Sequence, residues 1–115
     1  MSHHSIDYIE MPSSNIDKTK TFFSQVFGWE FTDYGPEYTA VTNAGIGAGF
    51  YLADLTSQTQ NGSVLVVLYS ESLEQSLQQV EQAGGTVIKP IFSFPGGRRF
   101  QFNDPNGNEF AVWSE

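Results

Sequence analysis

The fold of this chain is decided by residues 9–28, whose sequence is IEMPSSNIDKTKTFFSQVFG. An apolar, strand-like start is followed by a turn, a helical segment with one apolar stripe, and a glycine at the helix end. The same order of features returns 57 residues later in residues 66–85, VVLYSESLEQSLQQVEQAGG, although few positions are identical. Two similar units, each about half the chain length, therefore fill the 115 residues.

Both helices are predicted from their end signals and their apolar stripes. Each begins at a serine, Ser14 or Ser72, with an acid or amide three residues on, which is the pattern of a capping box. Glycine ends the first helix at Gly28 and the second at 84–85. The apolar stripes are formed by Ile16, Phe23 and Phe27 in the first helix and by Leu73, Leu77, Val80 and Gly84 in the second.

Strand-like runs complete each unit. One run precedes each helix, at 6–11 and 64–69, and three follow it. Turn-forming residues separate them, notably at 95–97 and 104–108. The runs after the helices lie at 29–34, 37–42 and 46–52 in the first unit and at 86–94, 98–103 and 109–113 in the second.

These elements predict an α+β fold with two tandem β-α-β-β-β modules. The first module is expected at about 5–54 and the second at about 64–115, with a polar linker at about 55–63. A single domain over 1–115 is the expectation for this length. One face of each sheet is covered by its helix, so we expect a shared concave mixed sheet with the helices on the outer face. Concave surfaces of this kind are where small molecules bind.

Composition excludes several classes of function. Five basic and thirteen acidic side chains give a formal net charge of −8, which argues against nucleic acid and anionic membranes as partners. The absence of cysteine excludes disulfides, thiolate nucleophiles and cysteine-based zinc sites. The longest apolar run has six residues, at 64–69, and the polar start lacks the apolar stretch of a signal peptide. We therefore expect a cytoplasmic protein.

The motifs resemble the vicinal oxygen chelate superfamily, which contains the glyoxalases, the bleomycin-resistance proteins and the extradiol dioxygenases. The resemblance extends over essentially the whole chain. It is carried by 9–12, Asn15-Ile16, Phe22-Phe23, Val26-Phe27-Gly28-Trp29 and the turn Asp104-Pro105-Asn106-Gly107-Asn108. It implies a small-molecule ligand in the cleft between modules. It also implies a homodimer, because the family commonly completes its groove across two chains.

The resemblance further implies three positions for the ligands of a divalent metal. They lie on the first strand of each module and on the last strand, and matching the motifs places them on Tyr8, Leu65 and Ala111. The family's enzymes usually carry His, His or Glu, and Glu there. Leu and Ala offer no donor atom and a neutral phenol is a poor ligand. We therefore expect no metal of the family type and no other cofactor.

Strand alternation predicts which side chains face the cleft. The core side of the last two strands is expected to hold Phe100, Phe102, Phe110 and Val112, so the residues between them point the other way. The result is a mostly apolar, aromatic groove with a few polar groups, which suits a flat or apolar small molecule. The predicted ligand-binding residues are Tyr8, Glu10, Tyr38, Leu65, Val67, Tyr69, Arg99, Gln101, Glu109, Ala111 and Trp113.

Three functions are compatible with this groove. The leading hypothesis is a metal-free binding protein of the bleomycin-resistance type. The second is an enzyme, of a lyase or dioxygenase-like kind, that uses Glu10 or Glu109 as a base and Arg99 to hold an anion. The third is a structural or interaction module whose own aromatic side chains fill the cleft. For Arg99, an ion pair with Glu10 or Glu109 is the alternative to ligand contact, and Arg98 is expected on the solvated surface.

Overall fold

The computed structural model, which describes residues 2–115, contains the predicted order of elements twice. The strand limits differ from the predicted ones by at most two residues. The first module consists of β1 (Tyr8–Ser13), α1 (Ile16–Phe27), β2 (Phe31–Asp33), β3 (Tyr38–Val41) and β4 (Gly47–Leu52). The second consists of β5 (Val66–Tyr69), α2 (Leu73–Gln82), β6 (Thr86–Phe94), β7 (Gly97–Asn103) and β8 (Glu109–Ser114), and a short 3-10 helix (Thr59–Asn61) lies in the linker.

Each module forms its own four-stranded mixed sheet. The strand order is β1-β4-β3-β2 in the first sheet and β5-β8-β7-β6 in the second. The first and last strands of each module pair in parallel, and all other pairs are antiparallel. The predicted α+β class with tandem modules is confirmed. The hydrogen-bonded ladders form two sheets rather than one, with β1 and β5 as edge strands.

The helix ends match the glycine signals better than the capping signals. Asn15, not Ser14, is the N-cap of α1, and its Oδ1 accepts the N–H of Lys18 at 3.1 Å. Ser72 does precede α2, but its side chain makes no capping hydrogen bond, so a capping box is wrong for both helices. Gly28 ends α1 with a left-handed φ of 69°, a conformation that costs glycine little.

Aromatic side chains join the two modules. Phe23 of α1 is fully buried and stacks on Trp29 at 4.7 Å between ring centroids. It also contacts Phe50 of β4 at 5.7 Å and Phe110 of β8 at 5.0 Å, so one ring touches both sheets. Burial of such a ring contributes about 1.5–3 kcal/mol. The buried apolar core comprises Met11, Phe22, Phe23, Trp29, Val41, Ala48, Phe50, Leu73, Val80, Phe100, Phe102, Phe110, Ala111 and Val112.

The turn between β7 and β8 forms polar contacts with the first module. Asn108 is 1% exposed and donates from Nδ2 to the carbonyl oxygen of Pro12 at 2.6 Å. Asn106 donates from Nδ2 to the carbonyl oxygen of Asn15 at 2.9 Å. The turn that carries much of the family resemblance therefore fixes one module against the other. None of the helices in residues 2–115 has the length and apolar character needed to cross a membrane.

Candidate functional site

The inner and outer faces of β7 and β8 follow the predicted alternation. Phe100, Phe102, Phe110 and Val112 are at most 1% exposed and pack under the helices. The intervening side chains of these two strands therefore lie on the opposite face, which is the predicted cleft face. They are Arg99, Gln101, Glu109, Ala111 and Trp113.

Three predicted site residues of the first module are joined by hydrogen bonds. The Tyr38 hydroxyl donates to Glu10 Oε2 at 2.9 Å, which leaves its oxygen to accept from the Tyr8 hydroxyl at 2.5 Å. Burial raises the pKa of Tyr38 well above its usual range, and the hydrogen bonds with Tyr8 and Glu10 add to the effect. The phenol oxygens of both tyrosines lie close above Gly49 of β4, where a Cβ atom would overlap them. We call this group the tyrosine–glutamate cluster.

Three predicted residues of the second module form a second chain of hydrogen bonds. Arg99 Nη2 donates to Gln101 Oε1 at 2.9 Å, and Gln101 Nε2 donates to Glu109 Oε2 at 2.8 Å. The other carboxylate oxygen of Glu109 accepts from the backbone N–H of Thr59 at 2.8 Å and from its hydroxyl at 2.9 Å. Gln101 is 3% exposed and Glu109 6%, so the carboxylate is buried and fully hydrogen-bonded.

The adjacent residues Arg98 and Arg99 have different partners. Arg99 bonds Gln101 and forms no ion pair with Glu10 or Glu109, because the amide of Gln101 stands between the guanidinium and the nearer carboxylate. Arg98 lies on the solvated surface, as expected, and forms an exposed ion pair there. Its Nη1 and Nη2 donate to the two carboxylate oxygens of Glu74 at 2.6 and 3.2 Å, on the side of the sheet that α2 covers.

Two cavities lie against these clusters. The junction cavity, of about 330 Å³, lies between β1, β4, the linker and the start of β8, and it brings together Glu10 and Glu109 beside Tyr51. The arginine cavity, of about 260 Å³, is lined by Val67, Phe94, Arg99 and Trp113. The cleft face is therefore not completely filled by its own side chains.

The remaining predicted ligand-binding residues belong to neither of the two hydrogen-bonded groups. Tyr69 packs edge-on against Trp113 at 5.1 Å and donates to Glu115, which raises its pKa. It also lines, with Val67, a wider cavity of about 640 Å³ along the edge of β5. Leu65 is half-buried, precedes β5 and lines none of these three cavities. Ala111 has no exposed surface.

Some residues of the site were not predicted. Thr59 lies in a linker without periodicity, so no sequence pattern connected it to Glu109. Phe92 could have been found, because the two-residue turn after Phe94 fixes the register of the β6–β7 hairpin and places Phe92 opposite Arg99. The guanidinium lies 5.3 Å from the centre of that ring.

Comparison with known proteins identifies the family. A sequence model of the Glyoxalase/Bleomycin resistance protein/Dioxygenase superfamily matches residues 5–112. The chain belongs to this superfamily. The resemblance inferred from the motifs is thereby confirmed. No curated protein matches the chain in sequence.

Solved structures of the superfamily share its fold with this chain. A glyoxalase-related enzyme from Fulvimarina pelagi is 19% identical, with a TM-score of 0.79, and the match covers 97% of this chain and 88% of that one. A family enzyme from Burkholderia phytofirmans PsJN is 18% identical, with a TM-score of 0.79 and coverage of 95% and 98%. The fosfomycin resistance protein FosX from Listeria monocytogenes is 16% identical, with a TM-score of 0.79 and coverage of 99% and 95%.

The three positions predicted for the ligands of the superfamily's metal do not fit a metal ion. The Tyr8 hydroxyl is occupied by its hydrogen bond to Tyr38, Leu65 has no donor atom, and the Ala111 methyl group is enclosed. Within residues 2–115, no three His, Cys, Asp or Glu side chains are grouped so as to hold a metal ion. The carboxylate of Glu109, two residues from Ala111, is already satisfied by Gln101 and Thr59.

Proposed function

We propose that this chain binds a small aromatic or apolar molecule in its cleft without a metal of the superfamily type. The proposal depends on one combined observation: Leu65 and Ala111, the positions predicted for metal ligands, have no donor atoms, and an aromatic and apolar cavity is lined by Val67, Phe94 and Trp113. Trp113 and Phe94 supply ring surfaces for stacking, and Arg99 supplies N–H donors that orient a ligand. The 1–115 segment then acts as one glyoxalase/bleomycin-resistance-like domain.

A thermal-shift screen tests this function. The protein is heated with a panel of aromatic molecules and, separately, with Zn²⁺, Ni²⁺, Mn²⁺ and Fe²⁺. A ligand at a hundred times its Kd adds about 2.7 kcal/mol to the free energy of unfolding, which raises Tm by several degrees. We expect such a shift from aromatic ligands. Stabilisation by metals alone would contradict the proposal.

A pair of variants locates the binding. Trp113→Leu removes a ring that lines the arginine cavity and should reduce the ligand-induced shift. Tyr34→Leu removes a ring that is 66% exposed and lines none of the three cavities described above, so it serves as the control. Equal shifts in both variants would place the ligand elsewhere.

An enzyme is the second candidate, favoured by the two carboxylates in the junction cavity. Glu10 or Glu109 would act as base and Arg99 would hold an anionic group. Once a substrate is found, the triple variant Glu10→Gln, Glu109→Gln, Arg99→Ala tests this role. Turnover that survives all three changes would exclude the constellation. The third reading, an interaction module with a filled cleft, fits the two cavities less well, and a screen without any ligand-induced shift would favour it.

We also propose a homodimer. Tyr8, Val67 and Tyr69 of the cleft face are 43%, 44% and 50% exposed in the single chain, and a second chain would cover apolar surface there. A monomer mass by light scattering at micromolar concentration would contradict this. We keep the cytoplasm as the expected location, and the charge of −8 supports partners other than nucleic acid or anionic membranes.

A further inference from the structure

Arg99 is a cation of the cleft face that lacks a counter-ion. Among residues 2–115, none of the ion pairs includes it. Its Nη2 donates to an uncharged amide oxygen, that of Gln101, and its Nε is enclosed without any acceptor. Enclosed charges and N–H groups are normally paired, because an unpaired one loses hydration and gains nothing in return.

Glu109 is not the counter-ion of Arg99, because the amide of Gln101 lies between the two side chains. The Gln101 amide accepts from Arg99 on one side and donates to Glu109 on the other. Glu109 is in turn bound by the backbone and hydroxyl of Thr59. The Glu109 carboxylate is therefore bound to the linker, and the Arg99 guanidinium has no anionic partner among residues 2–115.

The surroundings of Arg99 favour a partner with an apolar body. The guanidinium lies over the Phe92 ring and lines the arginine cavity with Val67, Phe94 and Trp113. No acidic side chain lines this cavity. An aromatic or aliphatic group can occupy it while an anionic group reaches the guanidinium, whose paired N–H groups match the two oxygens of a carboxylate.

We propose that the ligand of the cleft is an aromatic or apolar acid whose carboxylate or phosphonate group is bound by Arg99. This assignment rests on the proposed function, since it names the chemical class of the molecule held in the same cleft. Gln101 is a positioning residue that keeps the guanidinium free of Glu109. The overall charge of −8 does not oppose the contact at close range, because salt at 0.15 M screens charges beyond about 8 Å.

Calorimetry with a matched series of probes tests the assignment. The probes share one body and differ in charge: 3-phenylpropionate, its neutral amide, 3-phenylpropylamine, and 2-phenylethylphosphonate for the alternative anion. The wild-type chain should bind the carboxylate or the phosphonate at least tenfold more tightly than the amide, and the comparison of the two acids identifies the preferred group. The amine should bind most weakly.

Arginine variants provide the control. Arg99→Gln should abolish the preference for the acid over the amide. Arg98→Gln changes the same residue type one position away, at a side chain bound to Glu74, and should leave the preference intact. Arg99→Lys should retain part of it, and this variant keeps the charge if Arg99→Gln does not fold.

The outcomes separate this inference from the proposed function. If the amide or amine binds as tightly as the acids, or if Arg99→Gln keeps the acid preference, the inference is wrong while small-molecule binding stands. If no probe binds and the wider aromatic screen also gives no shift, the proposed function fails, and the inference fails with it. A tenfold acid preference that depends on Arg99 and not on Arg98 supports both.

Discussion

Replacing Asp104 with asparagine tests how the turn before β8 is held. The Asp104 side chain is 4% exposed, and its Oδ1 accepts the backbone N–H groups of Asn106 and Asn108, both at 2.9 Å. Its Oδ2 is enclosed and has no partner. Burial raises the pKa of Asp104 from its ordinary value of 3.8 to about 6, and the backbone hydrogen bonds oppose this only in part.

The sign of the pH effect follows from that raised pKa. Below the pKa that Asp104 has in the unfolded chain, the carboxyl is protonated in both the folded and the unfolded state. Its contribution to the free energy of unfolding is then complete. When the pH rises through the pKa of Asp104 in the folded protein, the carboxyl of the unfolded chain is already ionised. The stabilising contribution is therefore lost. The whole change is about 3 kcal/mol, and about 1.4 kcal/mol of it lies between pH 5 and pH 7.5.

The assay is urea unfolding between pH 5 and pH 7.5, followed by tryptophan fluorescence, to which buried Trp29 contributes together with Trp113. The free energy of unfolding of the wild type should fall, relative to Asp104→Asn, by about 1.4 kcal/mol across this range. Asparagine resembles the protonated acid, because it keeps the acceptor and carries no charge. Exposed Asp7, changed to Asn, is the matched control.

Parallel curves for the wild type and Asp104→Asn would refute the reasoning. That result would mean that Asp104 stays ionised over the whole range at no cost, and hence that its Oδ2 is solvated. An equal change in the Asp7→Asn control would show instead that the effect belongs to the overall charge of the chain.

Three further predictions concern the contacts around the cleft. Gly49→Ala should displace Tyr8 and Tyr38, because its methyl group would overlap both phenol oxygens; unchanged tyrosine signals in nuclear magnetic resonance spectra would contradict this. Thr59→Val removes the hydroxyl bound to a buried carboxylate and should lower the free energy of unfolding by about 1–2 kcal/mol in urea, whereas a loss below 0.5 kcal/mol would show that the backbone N–H alone suffices. Asn108→Ala leaves the carbonyl of Pro12 without its donor and should cost about 2 kcal/mol or more by the same measurement; Asn108→Asp, which also lacks that donor, should be destabilised as well, and a fully stable Asp variant would contradict the role of the donor.

Much of the fold was predictable because its signals are local. The period-two pattern of Phe100, Phe102 and Phe110 predicted which face of the second sheet is core, and those rings are buried. Gly28 ends α1 as expected, because glycine lacks a Cβ atom and adopts the left-handed conformation at little cost, whatever its tertiary neighbours. The N-cap was misassigned by one residue, because Ser14 and Asn15 are both good caps and only the chain direction before the helix selects one.

The site was less predictable because its partners are far apart in the chain. Alternation placed Arg99, Gln101 and Glu109 on one face, but it could not say which pairs would touch. The hydrogen bond from Thr59 to Glu109 joins residues 50 positions apart, and the linker that supplies it carries no periodic pattern. Ala111 faces the predicted side yet has no exposed surface, because its neighbours on β5 and β7 cover so small a side chain.

By itself the sequence determined the tandem β-α-β-β-β order, the core faces of the strands and the lack of donor atoms at Leu65 and Ala111. These features depend on side-chain chemistry and on spacing along one segment. Only the tertiary structure decided that Gln101 separates Arg99 from Glu109, and that Glu10 and Glu109 share one cavity. Such pairings depend on distances between separate elements, and those distances are set when the aromatic core brings the two modules together.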